Sequence, residues 1–440
     1  MAALPFDSRL YGGLLSDTEI AARLDDAAQL RAMLAFEAAL ARAEARCGVI
    51  PQDAARQITA VADNLTLDPA ALAEATARDG IPVPGLVAEL RRAVGGEAAS
   101  FVHWGATTQD VIDTALVLRL RRVLDLLDER LSRLCSSLAQ RARAERGTVM
   151  SARTWGQQAT PTTLGLKMAG WRAPLQRHRR RLAELRPRLE VLSFGGAAGT
   201  LAALRDKGVA VEAALAEELE LAVPLLPWHS QRDGLAELAG WLALVTGSLG
   251  KIAGDVALLS QSGIGEVSEG AGGGSSTMPQ KANPVRSNAV LALARHNAGL
   301  AGQMQTAALH ALERDGGAWQ QEWLVLPQML LACGAALRQT TLLIEDLRVD
   351  AARMAANLDA AKGLVLAEAA SFALSAHMPR DEAQALVKVA CKEAVASGRH
   401  LMDVLAEMTE APVDWTSLRD PAGYLGMTER FINRALKDGD

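Results

Sequence analysis

The longest regular pattern of apolar positions lies in the middle of the chain. From Val111 onward, apolar residues recur every three or four positions, and neither glycine nor proline interrupts them before Gly147. The recurring residues are Leu116, Leu120, Val123, Leu124, Leu127, Leu131, Leu134 and Leu138. This spacing predicts one long amphipathic helix with a coiled-coil-like apolar stripe.

Two further stretches are long and rich in apolar residues. Residues 233–263 contain no proline, and a third stretch runs from about residue 286 to residue 310. Since a glycine inside a helix costs about 1 kcal/mol relative to alanine, the glycines of the second stretch indicate close helix packing. Those glycines are Gly234, Gly240, Gly247, Gly250 and Gly254. Helices this long and apolar predict an oligomer formed by helix bundling.

Shorter helical patterns lie on both sides of these stretches. Residues 26–47 have helical periodicity that Gly48 and Pro51 end, and the chain after Asp350 returns to short helices. Pro82 and Pro84 predict a loop over residues 79–84, because the residue before a proline disfavours helical geometry. We therefore predict an all-α fold of three helical domains, 1–110, 111–350 and 351–440, with a central long-helix bundle.

Composition supports a helical protein and argues against a nucleic-acid-binding, secreted or membrane protein. Half of the residues are hydrophobic but only 4% are aromatic, so Ala, Leu and Val supply the apolar mass. A net charge of −5 and a pI near 5.9 argue against a nucleic-acid partner. We expect no signal peptide and no membrane partner, because the start lacks an apolar core and no stretch reaches the roughly 18–20 apolar residues of a span.

The cysteines give a prediction about the compartment. Cys47, Cys135, Cys333 and Cys391 lie far apart and form no CxxC pair. This spacing is typical of reduced thiols rather than a zinc site, so we expect a cytoplasmic protein without a metal.

Residues 272–284, here called the signature loop, carry the most specific chemistry. Three consecutive glycines leave backbone N–H groups open to an anion, and Ser275 and Ser276 follow. Lys281, Asn283 and Pro284 complete the segment. A mobile loop with a hydroxyl beside a carboxylate clamp is suited to moving a proton next to a carboxylate.

This loop resembles the signature of the fumarase/aspartase superfamily, Gly-Ser-Ser-x-Met-Pro-x-Lys-x-Asn-Pro, down to Met278-Pro279. Residues 102–110, Val-His-Trp-Gly-Ala-Thr-Thr-Gln-Asp, resemble its first substrate-binding turn, and residues 153–159 resemble its second, usually Arg-Thr-His-x-Gln. Further similarity at residues 195–200, 231–233, 313–315 and 420–426 extends it over essentially the whole chain.

The resemblance implies a cofactor-free homotetramer that forms or cleaves a bond β to a carboxylate of a small polycarboxylate. Each active site would combine the three segments from three subunits. Ser275 would transfer the proton on the carbon α to the carboxylate, and Lys281 would stabilise the dianionic intermediate. The implied substrate-binding residues are His103, Thr107, Thr108, Gln109, Arg153, Thr154, Trp155, Gln157, Ser276, Met278, Asn283 and Arg314.

Several of these residues also have a structural interpretation. Thr107 and Thr108 suit a helix N-cap, and His103 suits a residue that stabilises the turn. Arg314 could form a salt bridge with a neighbouring acid, and Trp155 could form a pocket wall.

Trp155 changes the expected chemistry. Most superfamily members have histidine there, serving as or relaying to the acid that protonates the leaving group, whereas indole has no acid function near neutral pH. A carboxylate leaves without such help, because the pKa of its conjugate acid is near 4. Trp155 is typical of the lactonising branch of the superfamily, so the resemblance implies interconversion of 3-carboxy-cis,cis-muconate and its lactone.

Two departures leave the substrate open. Gln280 and Ala282 replace a histidine and an arginine that are common in the lactonising branch, which removes a bidentate carboxylate partner. A lyase that expels another stable anion, such as nitrite, tolerates Trp155 equally well. An adenylosuccinate lyase would need histidine at position 155 and an Arg-His-Asp-Val element where this chain has Arg78-Asp79-Gly80. A purely structural role is the remote alternative, as the serine and lysine of the loop are intact.

Overall fold

The structure is a computed structural model that describes residues 4–270, 273–274 and 277–437. The described chain is mostly helical and divides into two compact units. Unit 1 comprises the chain up to Arg130, His178–Gly247 and Ala292–Arg338. Unit 2 comprises Leu131–Arg177, Ser248–Leu291 and the chain from Gln339 onward. The predicted all-α class is therefore confirmed, while the three-domain division at residues 110 and 350 stays a prediction.

The helices follow one another along the chain with few strands between them. The first nine are α1 (Gly12–Leu15), α2 (Thr18–Leu24), α3 (Asp26–Arg46), α4 (Gln52–Asn64), α5 (Pro69–Asp79), α6 (Val83–Val94), α7 (Thr108–Ala144), α8 (Leu164–Leu189) and α9 (Gly208–Leu219). The others are α10 (Asp233–Leu259), α11 (Val285–Ala307), α12 (Gly316–Glu345), α13 (Ala351–Ala360), α14 (Ala367–Ser375), α15 (Arg380–Ser397), α16 (Leu401–Met408) and α17 (Thr428–Lys437). Short 3-10 helices lie at Pro5–Asp7, Ala98–Phe101, Ala202–Lys207, Leu364–Leu366, Ser417–Arg419 and Pro421–Tyr424.

Unit 1 contains a core built around α3. This helix packs against α4 and α9, and Met33, Phe36 and Leu40 on it are fully buried. Leu86 and Leu90 of α6 belong to the same cluster. Burial of the apolar face of α3 stabilises this core, at roughly 1.5–3 kcal/mol for each fully buried large side chain.

Unit 2 contains the four strands and a second core. Strands β1 (Val149–Thr154) and β2 (Gln157–Thr163) form an antiparallel hairpin in which Thr154 pairs with Gln157. Strands β3 (Val267–Ser268) and β4 (Arg348–Val349) form a second small antiparallel pair. The core cluster lies among α14, α15 and α16, where Leu374 and Leu401 are fully buried.

The long apolar patterns predicted the helices correctly. Helices α3, α7, α10 and α11 begin and end close to the expected residues. The predicted loop over residues 79–84 is wrong in its second half, because α6 begins at Val83 and carries Pro84 in its first turn. Proline is tolerated there, since the first N–H groups of a helix have no partner within the helix.

One helix, α10, is long and apolar enough to cross a membrane by length and composition. The prediction that no stretch reaches the length of a membrane span is therefore wrong for α10. Charged residues are sparse along this helix, and its glycines do not lower its hydropathy much. Half of the most apolar part of α10 is buried within the protein, as is also expected of a helix in the core of a bundle.

Candidate active site

The first turn (residues 102–110), which leads into α7, is held by a carboxylate that sequence reasoning did not select. The buried Asp110 side chain accepts hydrogen bonds from the backbone N–H groups of Thr107 at 2.9 Å, Gly195 at 2.9 Å and Gly196 at 3.0 Å. The His229 ring donates to it from Nε2 at 2.6 Å. Four bonds to one buried carboxylate fix the backbone of this turn.

The turn also requires glycine at its closest approach. Gly105 has φ +71°, and a Cβ there would lie 2.8 Å from the Leu204 side chain. Both the left-handed backbone and the lack of space exclude a side chain at this position. Thr107 and Thr108, which start α7, are half-buried at the end of this rigid turn.

Two predicted substrate ligands from distant parts of unit 1 lie in contact. Arg314 Nε donates to Gln109 Oε1 at 2.8 Å, and Arg314 Nη2 donates to the Ala197 carbonyl at 3.3 Å. The expected alternative for Arg314, an ion pair with a neighbouring acid, is not the contact that forms. Asp315 fixes the adjacent backbone because it accepts from the N–H groups of Gly317 and Ala318 at the start of α12. The Arg314 side chain is exposed.

Behind Gln109 lies a buried group of charges. Arg232 is fully buried and pairs with Asp113 at 2.6 Å and with Glu322 at 2.5 Å. Burial would lower the pKa of Arg232, but the two carboxylates raise it, so the guanidinium stays charged. Trp319 Nε1 donates to Asp113 at 3.1 Å, and Gln109 Nε2 donates to the same carboxylate at 3.1 Å.

His103 is attached to the core of unit 1. Its Nδ1 donates to the buried Glu37 carboxylate at 2.7 Å, and its backbone has φ +61°. Burial alone would lower the pKa of His103, but the Glu37 carboxylate raises it above its ordinary value. This contact accords with the structural interpretation of His103, and it leaves Nε2 as the ring nitrogen available for a ligand.

The second turn (residues 153–159) is the tip of the β1–β2 hairpin in unit 2. Trp155 lies at the tip with φ +53°, followed by Gly156 with φ +76°, and the indole is fully exposed at 102%. Thr154 and Gln157 are exposed beside it. The indole is thus among the large apolar side chains that the described chain leaves exposed to solvent.

Arg153, the first residue of this turn, has a structural partner. Its guanidinium forms two hydrogen bonds with the buried Glu266 carboxylate, at 2.9 and 2.6 Å. Asn357 donates to the same carboxylate at 2.9 Å. Glu266 directly precedes β3, so Arg153 links the hairpin to the strand that leads into the signature loop.

The signature loop is fixed at its two ends. The Glu269 carboxylate accepts from the backbone N–H groups of Arg286 at 3.0 Å and Ser287 at 2.9 Å, which caps the start of α11. Gly273 and Asn283 exchange two backbone hydrogen bonds, at 3.1 and 2.9 Å. These contacts form a closed neck at the base of the loop.

The described residues 277–282 at the tip of the loop are exposed. Met278 and Lys281 are exposed, Asn283 is half-buried, and a turn is closed by the Lys281 N–H donating to the Met278 carbonyl at 3.0 Å. Ser275 and Ser276 lie outside the described residues. Lys281 and Asn283 are nevertheless carried on the same closed loop, as the motif spacing predicts.

Sequence reasoning missed the residues that hold the site rather than those that face it. These are Glu37, Asp110, Asp113, Arg232, Glu266 and Glu269. The available signal was Asp110 in the first turn of α7, where a carboxylate satisfies free N–H groups. Nothing local identifies the partners of the others, since Arg232 lies 119 positions from Asp113.

Comparison with known proteins identifies the family of the chain. The family model described as "Lyase" matches residues 16–299, and the model "Adenylosuccinate lyase C-terminus" matches residues 363–435. The chain is 47% identical to a 3-carboxy-cis,cis-muconate cycloisomerase of Pseudomonas aeruginosa, over 98% of this chain and 96% of that protein. It is 39% identical to a nitrosuccinate lyase of Streptomyces davaonensis, over 99% of this chain and 95% of that protein.

A solved structure shows the same architecture. The crystal structure of the 3-carboxy-cis,cis-muconate lactonizing enzyme from Pseudomonas putida superposes with a TM-score of 0.92 at 43% identity, covering 98% of this chain and 99% of that one. The family match, the full-length identities and the shared fold agree with each other. The chain therefore belongs to the lyase family of the fumarase/aspartase superfamily, and its similarity to the lactonising enzymes of that family extends over its whole length.

Proposed function

We propose that this chain is a cycloisomerase that interconverts 3-carboxy-cis,cis-muconate and its carboxymuconolactone, a step of protocatechuate catabolism. The observation that carries the proposal is Trp155 at the tip of the second turn. An indole there provides no acid for a leaving group, which suits a reaction whose leaving group is a carboxylate. The full-length similarity to cycloisomerases supports the same choice.

In each direction, the proposed reaction makes or breaks one C–O bond and transfers one proton. In lactonisation, a carboxylate oxygen of the substrate adds to a diene carbon β to another carboxylate. The electrons of the double bond move to the α carbon, which gives an aci-carboxylate dianion, and the α carbon then takes a proton. Ring opening reverses these steps and requires a base at the α carbon.

In this proposal, one residue transfers the proton and others stabilise the negative charge. Ser275, outside the described residues, would donate the proton in lactonisation, the direction that suits a neutral hydroxyl. Lys281, with Asn283 and the loop N–H groups, would stabilise the dianion. Thr107, Thr108 and Arg314 would bind the remaining carboxylates, and no cofactor or metal takes part in this scheme.

We further propose a homotetramer whose active sites combine segments from three subunits. Trp155 is fully exposed, and Leu244 and Leu258 on α10 and Leu324 on α12 are large apolar residues left more than half exposed. Exposed apolar side chains along long helices are suited to a bundle of several chains. The four free cysteines support a cytoplasmic location.

A lyase that expels nitrite from nitrosuccinate is the second candidate. Gln280 and Ala282 in the signature loop favour it, because they remove an arginine that would bind a further carboxylate. The 39% identity to a nitrosuccinate lyase points the same way.

Parallel assays distinguish the two candidates. In one assay the purified enzyme is given 3-carboxy-cis,cis-muconate, and loss of diene absorbance is measured. In the other it is given nitrosuccinate, and nitrite release is measured. We expect turnover of the muconate and about a 10²–10⁴-fold lower kcat for Ser275→Ala. Nitrite release without diene loss would replace the first candidate by the second, and full activity of Ser275→Ala would remove the serine from its role.

A further inference from the structure

The buried carboxylate of Asp113, one turn into α7, has a position that points to a role in substrate binding. It lies behind Gln109 and is separated from Arg314 by that amide alone. We propose that Asp113 is a positioning residue: it sets the direction of the Gln109 amide and thereby holds Arg314 ready for a substrate carboxylate. This inference rests on the proposed function, because it assigns Arg314 to the substrate.

The hydrogen bonds of Gln109 allow one orientation of its amide. Nε2 donates to Asp113 Oδ2 at 3.1 Å and to the His229 carbonyl at 2.8 Å, and both of these atoms only accept. Oε1 is therefore the atom that faces Arg314 Nε. Rotating the amide by 180° would place an oxygen against the carboxylate and an NH₂ group against the guanidinium, so both contacts would become repulsive.

The Asp113 carboxylate is held in one orientation by its other hydrogen bonds. Its oxygens accept from Arg232 Nη1 at 2.6 Å and Nη2 at 3.1 Å. Trp319 Nε1 donates to Oδ1 at 3.1 Å. The side chain is buried, so the carboxylate is locked by groups that remain charged or polar inside unit 1.

One nitrogen of the Arg314 guanidinium has no partner among the described residues. Nε is taken by Gln109 and Nη2 by the Ala197 carbonyl, whereas Nη1 donates to no atom in the described part of the chain. The Arg314 side chain is exposed, and its hydrogen bond to Gln109 connects it with the first turn. A guanidinium held by two bonds and open at the third nitrogen is suited to a carboxylate ligand.

Glu322 provides the control that separates a positioning role of Asp113 from a merely structural one. Glu322 binds the same guanidinium of Arg232, at 2.8 and 2.5 Å, and is equally buried. It makes no contact with Gln109 in the described structure. Asp113→Asn and Glu322→Gln therefore remove one negative charge each from the same buried group, and only the first alters the amide that faces Arg314.

The experiment measures affinity and turnover in both variants. Succinate affinity is measured by titration calorimetry, and KM and kcat are measured with 3-carboxy-cis,cis-muconate. For Asp113→Asn we expect about a tenfold weaker succinate affinity and higher KM, which corresponds to about 1.4 kcal/mol. For Glu322→Gln we expect a similar fall in the melting temperature but less than a twofold change in affinity. Equal changes in both variants would overturn the proposal.

A double-mutant cycle provides the second test. In an Arg314→Gln background, Asp113→Asn should change succinate affinity by less than twofold, because its effect passes through Arg314. Additive losses would contradict the proposal even if one single variant is unstable. An enzyme that binds succinate as expected but does not convert the muconate would refute the proposed function alone, since the affinity test does not depend on turnover.

Discussion

The first turn and the signature loop both carry predicted substrate ligands, yet the protein holds them in opposite ways. Around the first turn, Asp110 and Asp113 are buried and every oxygen of the two carboxylates accepts a hydrogen bond. In the signature loop, Gly273 and Asn283 close the neck, and the described residues 277–282 beyond it, Lys281 among them, are exposed. One part of the predicted site is therefore held rigidly by buried hydrogen bonds within the single chain, whereas the described tip of the other is exposed.

This difference separates stability from catalysis. A rigid part contributes binding geometry at the cost of burying polar groups, so a substitution there lowers both stability and activity. An exposed loop contributes little to the folded state, and its side chains act when the loop closes over the substrate. The predictions below test this division from the largest effect to the smallest.

Lys281→Met tests the loop side. We expect kcat to fall by about 10²–10³-fold, because a preorganised charge that faces the dianion is lost. The melting temperature should not change, since Lys281 is exposed. The control is Lys251→Met, which removes an exposed lysine paired with Asp255 on α10 and should leave kcat unchanged. A Lys281 variant that unfolds more easily would contradict the division.

Asp110→Asn tests the rigid side. We expect a loss of about 2–4 kcal/mol in the free energy of unfolding, because an amide cannot accept from all four buried donors. Thermal or urea unfolding measures this loss, and activity should fall with it. Asp125→Asn, at an exposed ion pair with Arg186, should change stability by less than about 1 kcal/mol. Similar stability of the two variants would show that the turn is not held by Asp110.

Glu44 lies on α3 in the core of unit 1, which holds His103 of the first turn through Glu37, and it makes that core sensitive to pH. Burial and the nearby Glu37 carboxylate raise the pKa of Glu44 to about 9. Because the folded-state pKa lies above the ordinary value, the folded state binds the proton more tightly. Stability should therefore be fully present below about pH 4.5 and decline as the pH rises toward 9, by up to about 1.4 kcal/mol per pH unit.

Glu44→Gln should remove this decline. Unfolding measured between pH 5 and 9 should show the variant gaining on the wild type as the pH rises. The control is Glu74→Gln on α5, which makes the same substitution at an exposed side chain. Parallel stability curves for wild type and Glu44→Gln would refute the assignment of a neutral buried carboxyl.

Trp155→Ala should have the smallest effect of these four. We expect kcat/KM to fall by about tenfold, because in the proposed tetramer a neighbouring subunit would cover the indole and a buried aromatic contact supplies roughly 1–2 kcal/mol. Leu225→Ala, at another fully exposed apolar residue, should change kcat/KM by less than twofold. Equal effects of the two substitutions would mean that the exposed indole takes no part in a shared site.

Sequence reasoning reached the exposed side of this comparison more easily than the buried side. The spacing of Lys281 and Asn283 in the signature loop and the apolar repeat of α7 are local patterns, and local patterns can be read directly. The pairing of Arg232 with Asp113 and Glu322 joins residues about 90 and 119 positions apart, so only the folded chain reveals it. Pro84 was misread because its position in the first turn of α6, and not its presence, decides whether a helix can form.

The most direct test of the proposed reaction follows 3-carboxy-cis,cis-muconate in D₂O by NMR. The account predicts loss of the diene signals and a lactone that carries one solvent-derived deuteron on the carbon α to a carboxylate, with Ser275→Ala forming it far more slowly. An unchanged diene, or a lactone formed without a deuteron at that carbon, would contradict it.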